Sequence, residues 1–332
     1  MSDKIANETE LIQTYLAPLA AGERGALGLK DDAAYITPPP GTDLVITTDP
    51  IIAGVHFFSH ERADDIAWKA IAVNISDLAA KGAAPLAYTM ALAFHEVPGH
   101  AWMALFARGL ADAQEQFGCT LVGGDTDRTS GPLSVSVTAF GAVPAGRMVL
   151  RNGARIGDHV FVTGTLGDAA LGLALHRDPG LMGQSVTSGD KGFLVARYLR
   201  PAPRLALAPL LREFATGSLD ISDGLAKDLA RLAAGAGGRA DVGFAGLPLS
   251  PSAQVMITAD AAWASAVISG GDDYEVIFAV SPGRLTAART AFEAMPFKVT
   301  EIGRIGVGRG VLIRDAAGRP MALGPLGYDH FS

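Results

Sequence analysis

Aspartates recur in this chain where a strand or loop runs out beside glycine, serine or threonine. They are Asp31 and Asp32 in KDDAA, Asp49 in ITTDP, Asp125 in VGGDT, and Asp220 with Asp223 in LDISDGL. Asp77 joins them from AVNISDLAAKGAAP, residues 72–85, an apolar helical pattern that also carries Asn74 and Ser76. Taken singly, an aspartate before a helix is a cap and a Gly-Asp pair is a turn. LDISDGLAKDL is different, because Asp223 can cap a helix beginning at Gly224 while Asp220 sits on a strand end. Together the acids suit a hard divalent cation. Magnesium takes oxygen ligands, usually one or two carboxylates with waters and substrate phosphates. Thr47 and Thr48, beside Asp49, could add neutral oxygens. So many carboxylates would repel one another unless several cations were present, which implies a phosphorylated ligand carried with its metals.

Other phosphate and metal chemistries lack their residues. The chain has no G-x-x-x-x-G-K-[ST], no G-x-G-x-x-G, no H-E-x-x-H and no kinase catalytic-loop pattern. Its one cysteine, Cys119, can build neither a zinc site nor an intrachain disulfide. Four further residues stay open. His56 in AGVHFF can pack on its aromatic neighbours or meet a ligand. Arg151 can pair with phosphate or stand solvated in a linker. Asp272, with Asp273 in SGGDDYE, can bind or simply end a strand. Tyr328 lies four residues from the C-terminus.

At 332 residues the chain exceeds what one hydrophobic core usually serves, so two domains are expected. A net charge of −7, from 27 basic and 34 acidic residues, argues against a nucleic-acid partner. Glycine is in excess, 40 of 332 or about 12% against a usual ~7%, and many glycines flank the acids. The N-terminus carries acids where a signal peptide needs a basic start, and no apolar run reaches bilayer length. The expectation is a soluble cytoplasmic protein with no membrane partner.

The elements that must hold these residues follow from pattern. DLVITTDPII (43–52) reads as a strand, 64–81 as a helix burying one side, 86–94 as a buried strand, 98–117 as a helix and 120–124 as a strand. In PLSVSVTAFGAV (132–143) apolar and polar residues alternate, as in a half-buried strand. A Gly- and Arg-rich connection near residue 150 marks the domain boundary, giving domains 1–150 and 151–332. Beyond it come strand 160–163, helix 166–176, a loop at 177–190, helix 203–215, strand 218–222, helix 224–234, strand 274–281 and a terminal pair around 297–323. The class is mixed α/β.

In this order the motifs resemble the thiamine-monophosphate kinase family of the aminoimidazole ribonucleotide synthetase-like superfamily. The motifs are KDDAA, TTDPIIAGVHF, AVNISDLAAKGAAP, VGGDTDRT, RNGARIGD, TGTLGD, DISDGL, SGGDDYE and GYDHF, and they span nearly the whole chain. The resemblance implies transfer of the γ-phosphoryl group of ATP to thiamine monophosphate, giving thiamine diphosphate and ADP. It implies magnesium on Asp32, Thr47, Thr48, Asp49, Asp77, Asp125, Asp220 and Asp223. ATP would meet Gly124, Asp125, Arg151 and Ser222; thiamine monophosphate would meet His56, Asp272 and Tyr328. A phosphate acceptor is already mostly dianionic at neutral pH and needs no general base, which favours direct in-line transfer. The implied architecture is an N-terminal α/β domain that forms a homodimer and a C-terminal α/β domain closing over nucleotide and substrate. Three positions depart from the family: Lys30 for Gly, Asp272 for the commoner Glu, and Lys81 for Met, with Lys81 expected to face solvent. The rivals are another ATP-dependent enzyme of the superfamily, for which Cys119 stands in the wrong place, and a nonenzymatic protein binding nucleotide or thiamine phosphate.

Overall fold

The computed structural model describes residues 4–183, 185–323 and 326–328. The chain divides into two compact units, Met1–Leu78 with Ala83–Met148, and Ala79–Gly82 with Val149–Ser332.

The first unit begins with α1 (Glu8–Leu11), capped by Asn7, whose Oδ1 accepts from Glu10 N at 2.9 Å. There follow β1 (Thr42–Ile52), α2 (Ala63–Ala80), β2 (Ala84–Phe94), α3 (His100–Phe117), β3 (Thr120–Arg128) and β4 (Ser134–Pro144). The strands form one mixed sheet in the order β1-β4-β2-β3, antiparallel except for the β2/β3 pair. The alternation in β4 sets its register: Val135, Val137 and Ala139 are fully buried, while Ser134, Ser136 and Thr138 are half-buried. Pro50 is tolerated in β1 because that strand is an edge.

Helix α2 differs from the expected one-sided stripe. Of its 18 residues only Trp68 and Asp77 escape full burial, so the helix is enclosed around its whole circumference. Its alanines let neighbours approach closely. At Gly109 of α3, an added Cβ would lie 2.3 Å from the Asp64 carbonyl oxygen of α2.

The second unit runs β5 (His159–Thr163), α4 (Asp168–Arg177), α5 (Ser188–Leu199), α6 (Ala208–Phe214), β6 (Ala215–Asp220), α7 (Leu225–Gly235), β7 (Arg239–Gly243), α8 (Pro251–Ala259), α9 (Ala264–Ser269), β8 (Val276–Val280), α10 (Leu285–Phe292), β9 (Val299–Gly306) and β10 (Gly310–Arg314). Its six-stranded mixed sheet has the order β10-β7-β9-β5-β8-β6. Every residue of β5 and β8 is buried. Their alternate side chains feed two separate cores, Val160, Val162 and Ile277 packing with α7, and Phe161 and Phe278 packing with α6 and α10. Such wholly apolar central strands are what two covered faces require.

Three sequence expectations change. The loop expected at 177–190 gives way to α5 from Ser188, capped by Thr187, whose Oγ1 accepts from Asp190 N at 3.1 Å. The terminal pair is not a pair of partners, because β7 lies between β9 and β10. Lys81 does not face solvent. Its Nζ donates to Ser218 O at 2.6 Å, and Ser218 Oγ returns a hydrogen bond to Ala80 O. With the Val149 N to Lys81 O bond at 3.2 Å, these contacts tie Ala79–Gly82 into the second unit. Lys30, by contrast, has φ −120°, an ordinary value that does not call for glycine.

Gly109→Ala tests the α2/α3 approach. Helix propensity alone would favour alanine by ~1 kcal/mol. The clash with rigid backbone instead costs roughly 1–3 kcal/mol, so urea denaturation should show net destabilisation. A stabilised variant would show that the two helices do not approach this closely.

Candidate active site

In the first unit, β1 and α2 hold four of the expected site residues. Thr47 Oγ1 donates to Asp77 Oδ2 at 2.5 Å, bringing a strand hydroxyl to the one polar side chain of α2 that remains half-open. Thr48 Oγ1 lies 3.0 Å from Thr138 Oγ1 across the β1/β4 pair and donates to Val137 O at 3.2 Å. Asp49 is exposed, but its backbone is braced: Asn74 Oδ1 accepts from Asp49 N at 3.0 Å, and Asn74 Nδ2 donates to Ala70 O at 3.1 Å. Asn74 has no exposed surface. The amide inside α2 therefore positions the strand that carries Asp49. His56 follows β1 in a tight turn, where Nδ1 accepts from Ile52 N at 3.0 Å and so leaves Nε2 as the protonated nitrogen. Buried Lys69 holds the His56 carbonyl at 3.0 Å.

Asp32 and Asp125 line one pocket of about 330 Å³ with Asp31, Gly124 and an apolar wall that includes Leu29, Ile36, Met90 and Phe140. Gly124 pairs with Met90 in the parallel β2/β3 ladder. A Cβ there would stand 1.9 Å from Met90 O, so only glycine lets β3 pass and carry Asp125 to the pocket. Asp125 Oδ1 accepts from Thr126 N at 2.9 Å.

In the second unit, Asp220 ends β6 and is 8% exposed. Asp223 does not cap α7. The N-cap is Gly224, and the capping work falls to Asp228 inside the helix, whose Oδ2 accepts from Ser222 N at 3.2 Å and Asp223 N at 3.1 Å. Asp223 is thereby left to pair with Lys227 Nζ at 3.1 Å and Arg231 Nη2 at 2.7 Å. Burial pushes the Asp228 carboxyl up to about 6, against the opposing pull of Arg231. Arg151 is exposed at the start of a single 3₁₀ turn.

Asp272 N donates to Ser222 O at 2.9 Å, and Tyr328 N to Asp223 O at 2.9 Å, so the segments that carry the two expected substrate residues of this unit are both bonded to the loop of Ser222 and Asp223. Residues 329–331 of GYDHF lie outside the described residues. Asp272 and Tyr274 have φ +69° and +49°. Each such conformation costs about 1–3 kcal/mol in a non-glycine residue. Between them Asp273 is 1% exposed, and its carboxyl accepts from Gly167 N at 2.7 Å and Ala169 N at 3.3 Å.

Among the described residues, no group of three or more His, Cys, Asp or Glu side chains is close enough to hold a metal ion by itself. The acids of the first unit are interleaved instead with hydroxyls and solvent.

A family model described as "AIR synthase related protein, N-terminal domain" matches residues 30–143. The thiamine-monophosphate kinase of Caulobacter vibrioides is 42% identical over 97% of this chain and 90% of its own length. The chain belongs to the thiamine-monophosphate kinase family. The crystal structure of the thiamine-monophosphate kinase from Stenotrophomonas maltophilia superposes with a TM-score of 0.82 at 38% identity, covering 93% of this chain and 97% of that one. A structure of AaThiL complexed with AMPPCP and TMP gives 0.76 at 32% identity, over 98% and 97%.

Within this family member, Asp228 is a polar residue that sequence reasoning passed over, and Asp273 is one it noted only beside Asp272 as a possible strand end. For Asp228 a signal exists, since it occupies the apolar stripe Leu225, Leu229, Leu232 of α7, where an acid must be bonded to be tolerated. Asp273 gives no such signal, lying next to another aspartate.

Burial pushes the Asp273 carboxyl from its ordinary 3.8 up to about 8. The folded chain then keeps a proton that the unfolded chain releases. Its contribution to stability falls as pH rises from about 4 to about 8, by up to ~1.4 kcal/mol per pH unit. Asp273→Asn removes that slope, so urea denaturation at pH 5 to 8 should show the variant gaining on the parent as pH rises. Parallel pH profiles would contradict the assignment.

Proposed function

We propose that this chain catalyses magnesium-dependent, direct in-line transfer of the ATP γ-phosphoryl group to thiamine monophosphate, giving thiamine diphosphate and ADP. The observation that carries the reading is the solvent-open, all-oxygen donor set of the first unit: Asp77 with Thr47, Asp49 braced by Asn74, and Asp32 with Asp125 in one pocket. Carboxylates and hydroxyls without nitrogen or sulfur suit magnesium. Such ions arrive with phosphate and water filling their remaining positions, so one or two protein carboxylates per ion suffice. Asp32, Thr47, Thr48, Asp49, Asp77, Asp125, Asp220 and Asp223 are the proposed ligands. When bound, the metal ions neutralise charge between two approaching phosphate groups.

The chain's own residues bind and orient. Gly124 brings backbone close to the nucleotide, and Arg151 and Ser222 supply donors to its phosphates. His56, Asp272 and Tyr328 hold thiamine monophosphate, with the His56 Nε2–H as a donor and the Asp272 carboxylate as an acceptor or counter-charge. No residue takes the role of general base, because the acceptor phosphate has a second pKa of about 6 and is already mostly dianionic. The AaThiL structure with AMPPCP and TMP supports the pairing of a nucleotide with a second ligand in this fold.

We also propose a homodimer. Leu44 and Ile46 on the edge strand β1 are 40% and 59% exposed, an apolar edge that a second copy would cover. A free, buried Cys119 and the absence, among the described residues, of a helix long and apolar enough to cross a membrane support a cytoplasmic setting.

Purified protein with ATP, Mg²⁺ and thiamine monophosphate should form thiamine diphosphate, read by chromatography. Nucleotide binding without product would overturn the kinase reading. Asp77→Asn should lower turnover by on the order of 10²–10³-fold while Thr47 keeps an acceptor and the melting temperature hardly moves. A fully active variant would remove Asp77 from the metal site. Analytical ultracentrifugation of the same preparation should give twice the 34.2 kDa chain mass, and a monomer would refute the dimer.

A further inference from the structure

Four consecutive residues, Asp272 to Glu275, are held by the Ile221–Ser222 backbone and by two further parts of the second unit. Asp272 N binds Ser222 O and Tyr274 N binds Ile221 O, both at 2.9 Å, and Ile221 N returns to Glu275 O at 2.8 Å. The Glu275 carboxylate, with no exposed surface, accepts from Thr163 Oγ1 at 2.7 Å, Arg197 Nη2 at 2.8 Å and Arg204 Nε at 2.6 Å. The Asp273 carboxyl takes the amides of Gly167 and Ala169 at the start of α4.

Asp273 is the only one of the four whose side chain sits between two left-handed non-glycine residues. That backbone persists only where its surroundings over-determine it. Relaxing Asp272 or Tyr274 toward ordinary φ would rotate Asp273 away from two buried N–H groups that have to be satisfied. The Tyr274 hydroxyl adds a bond to Asp272 Oδ1 at 3.3 Å, so the strained geometry also aims the Asp272 carboxylate.

We propose that Asp273 is a positioning residue for the substrate: clamped on the Gly167 and Ala169 amides, it fixes the backbone from which Asp272 presents its carboxylate to thiamine monophosphate. This rests on the assignment of Asp272 to the substrate made above. Asp273 touches neither substrate nor nucleotide in this account. Its effect is on binding of one substrate, not on the transfer step.

Steady-state kinetics of Asp273→Asn separates positioning from general support. Asparagine keeps one acceptor oxygen, but its Nδ2 has no lone pair to offer the second backbone N–H, which either oxygen of the carboxyl has even when protonated. The KM for thiamine monophosphate should rise about tenfold or more, with kcat within about threefold and the KM for ATP within about twofold. Unchanged constants, or both KM values rising alike, overturn the proposal. If Asp273→Asn does not fold, amide hydrogen exchange on the unmodified protein decides. Thiamine monophosphate alone should slow exchange of the Gly167 and Ala169 amides at least threefold, AMPPCP alone should not, and equal or absent slowing overturns the proposal. Failure of the unmodified protein to turn over thiamine monophosphate would refute the kinase reading, which is a different result from normal turnover with an indifferent variant.

Discussion

The second unit is organised around a carboxylate with no access to water. Glu275 is ringed by Thr163, Arg197 and Arg204, which join the end of β5, the body of α5 and the chain before α6. Both guanidinium groups are largely enclosed, with side-chain exposures of 14% and 17%. Removing the glutamate from such a buried set costs about 3–5 kcal/mol because two guanidinium charges are left without compensation. The arrangement also dictates sequence nearby. A Cβ on Gly164 would fall 2.2 Å from Glu275 Oε1 and 2.6 Å from Arg204 Nη2, which explains a glycine directly after β5. Phe297 lies under Arg204 at 4.9 Å and closes the ring from a third direction.

The same device recurs on a smaller scale. In each unit a fully buried polar side chain satisfies the backbone of a neighbouring segment, and that segment presents a more open acid. Asn74 does this for Asp49 and Asp228 for Asp223, while Asp273 works the other way, anchoring its own segment, and with it Asp272, on the Gly167 and Ala169 amides. An amide or carboxyl inside an apolar helix or loop is costly unless its bonds are complete. Once they are complete, the rigidity of the core reaches an edge strand or loop that would otherwise move. The polar residues within AVNISDLAAKGAAP thus divide into a structural amide at Asn74 and an open acid at Asp77.

Where a residue's environment is set by short-range pattern, the sequence was a good guide. The alternation of β4 and the apolar β5 and β8 were readable from two-residue periodicity or continuous hydrophobicity, whereas the strand expected at 218–222 begins earlier, at Ala215, and ends at Asp220. The site motifs were readable as motifs. What periodicity could not show is enclosure. In α2 the positions opposite the aliphatic stripe include Lys69, Val73, Ser76 and Ala80, which read as a mixed, partly polar face and are nevertheless all buried. Helix α5 was hidden behind glycines at 189 and 192, and β7 is a short Ala- and Gly-containing segment whose pairing is entirely long-range. Asp223 was read as a cap because it precedes α7, yet Asp228 reaches back from inside the helix. Lys81 looked solvent-bound because its partner, Ser218 O, is 137 residues away.

These cases bear on how an acid-rich sequence of this kind should be read. A carboxylate that is to meet a cation must keep its charge before the cation arrives, and burial works against that charge. Asp32, Asp49 and Asp125 are exposed, and Asp77, Asp223 and Asp272 are half-open. Asp273 is buried and pushed up to about 8, so that at neutral pH a cation would have to displace a proton, and Asp228, pushed up to about 6, already has Arg231 as its counter-charge. Asp220, at 8% exposure, is the most enclosed of the proposed ligands and sits where a strand end supplies it with rigid backbone. In LDISDGLAKDL and SGGDDYE the two kinds of acid stand within five residues of each other and are chemically identical in sequence. Their roles separate only when the fold puts one carboxyl against backbone amides and leaves its neighbour half-open, Asp223 beside Lys227 and Arg231 and Asp272 beside the Tyr274 hydroxyl.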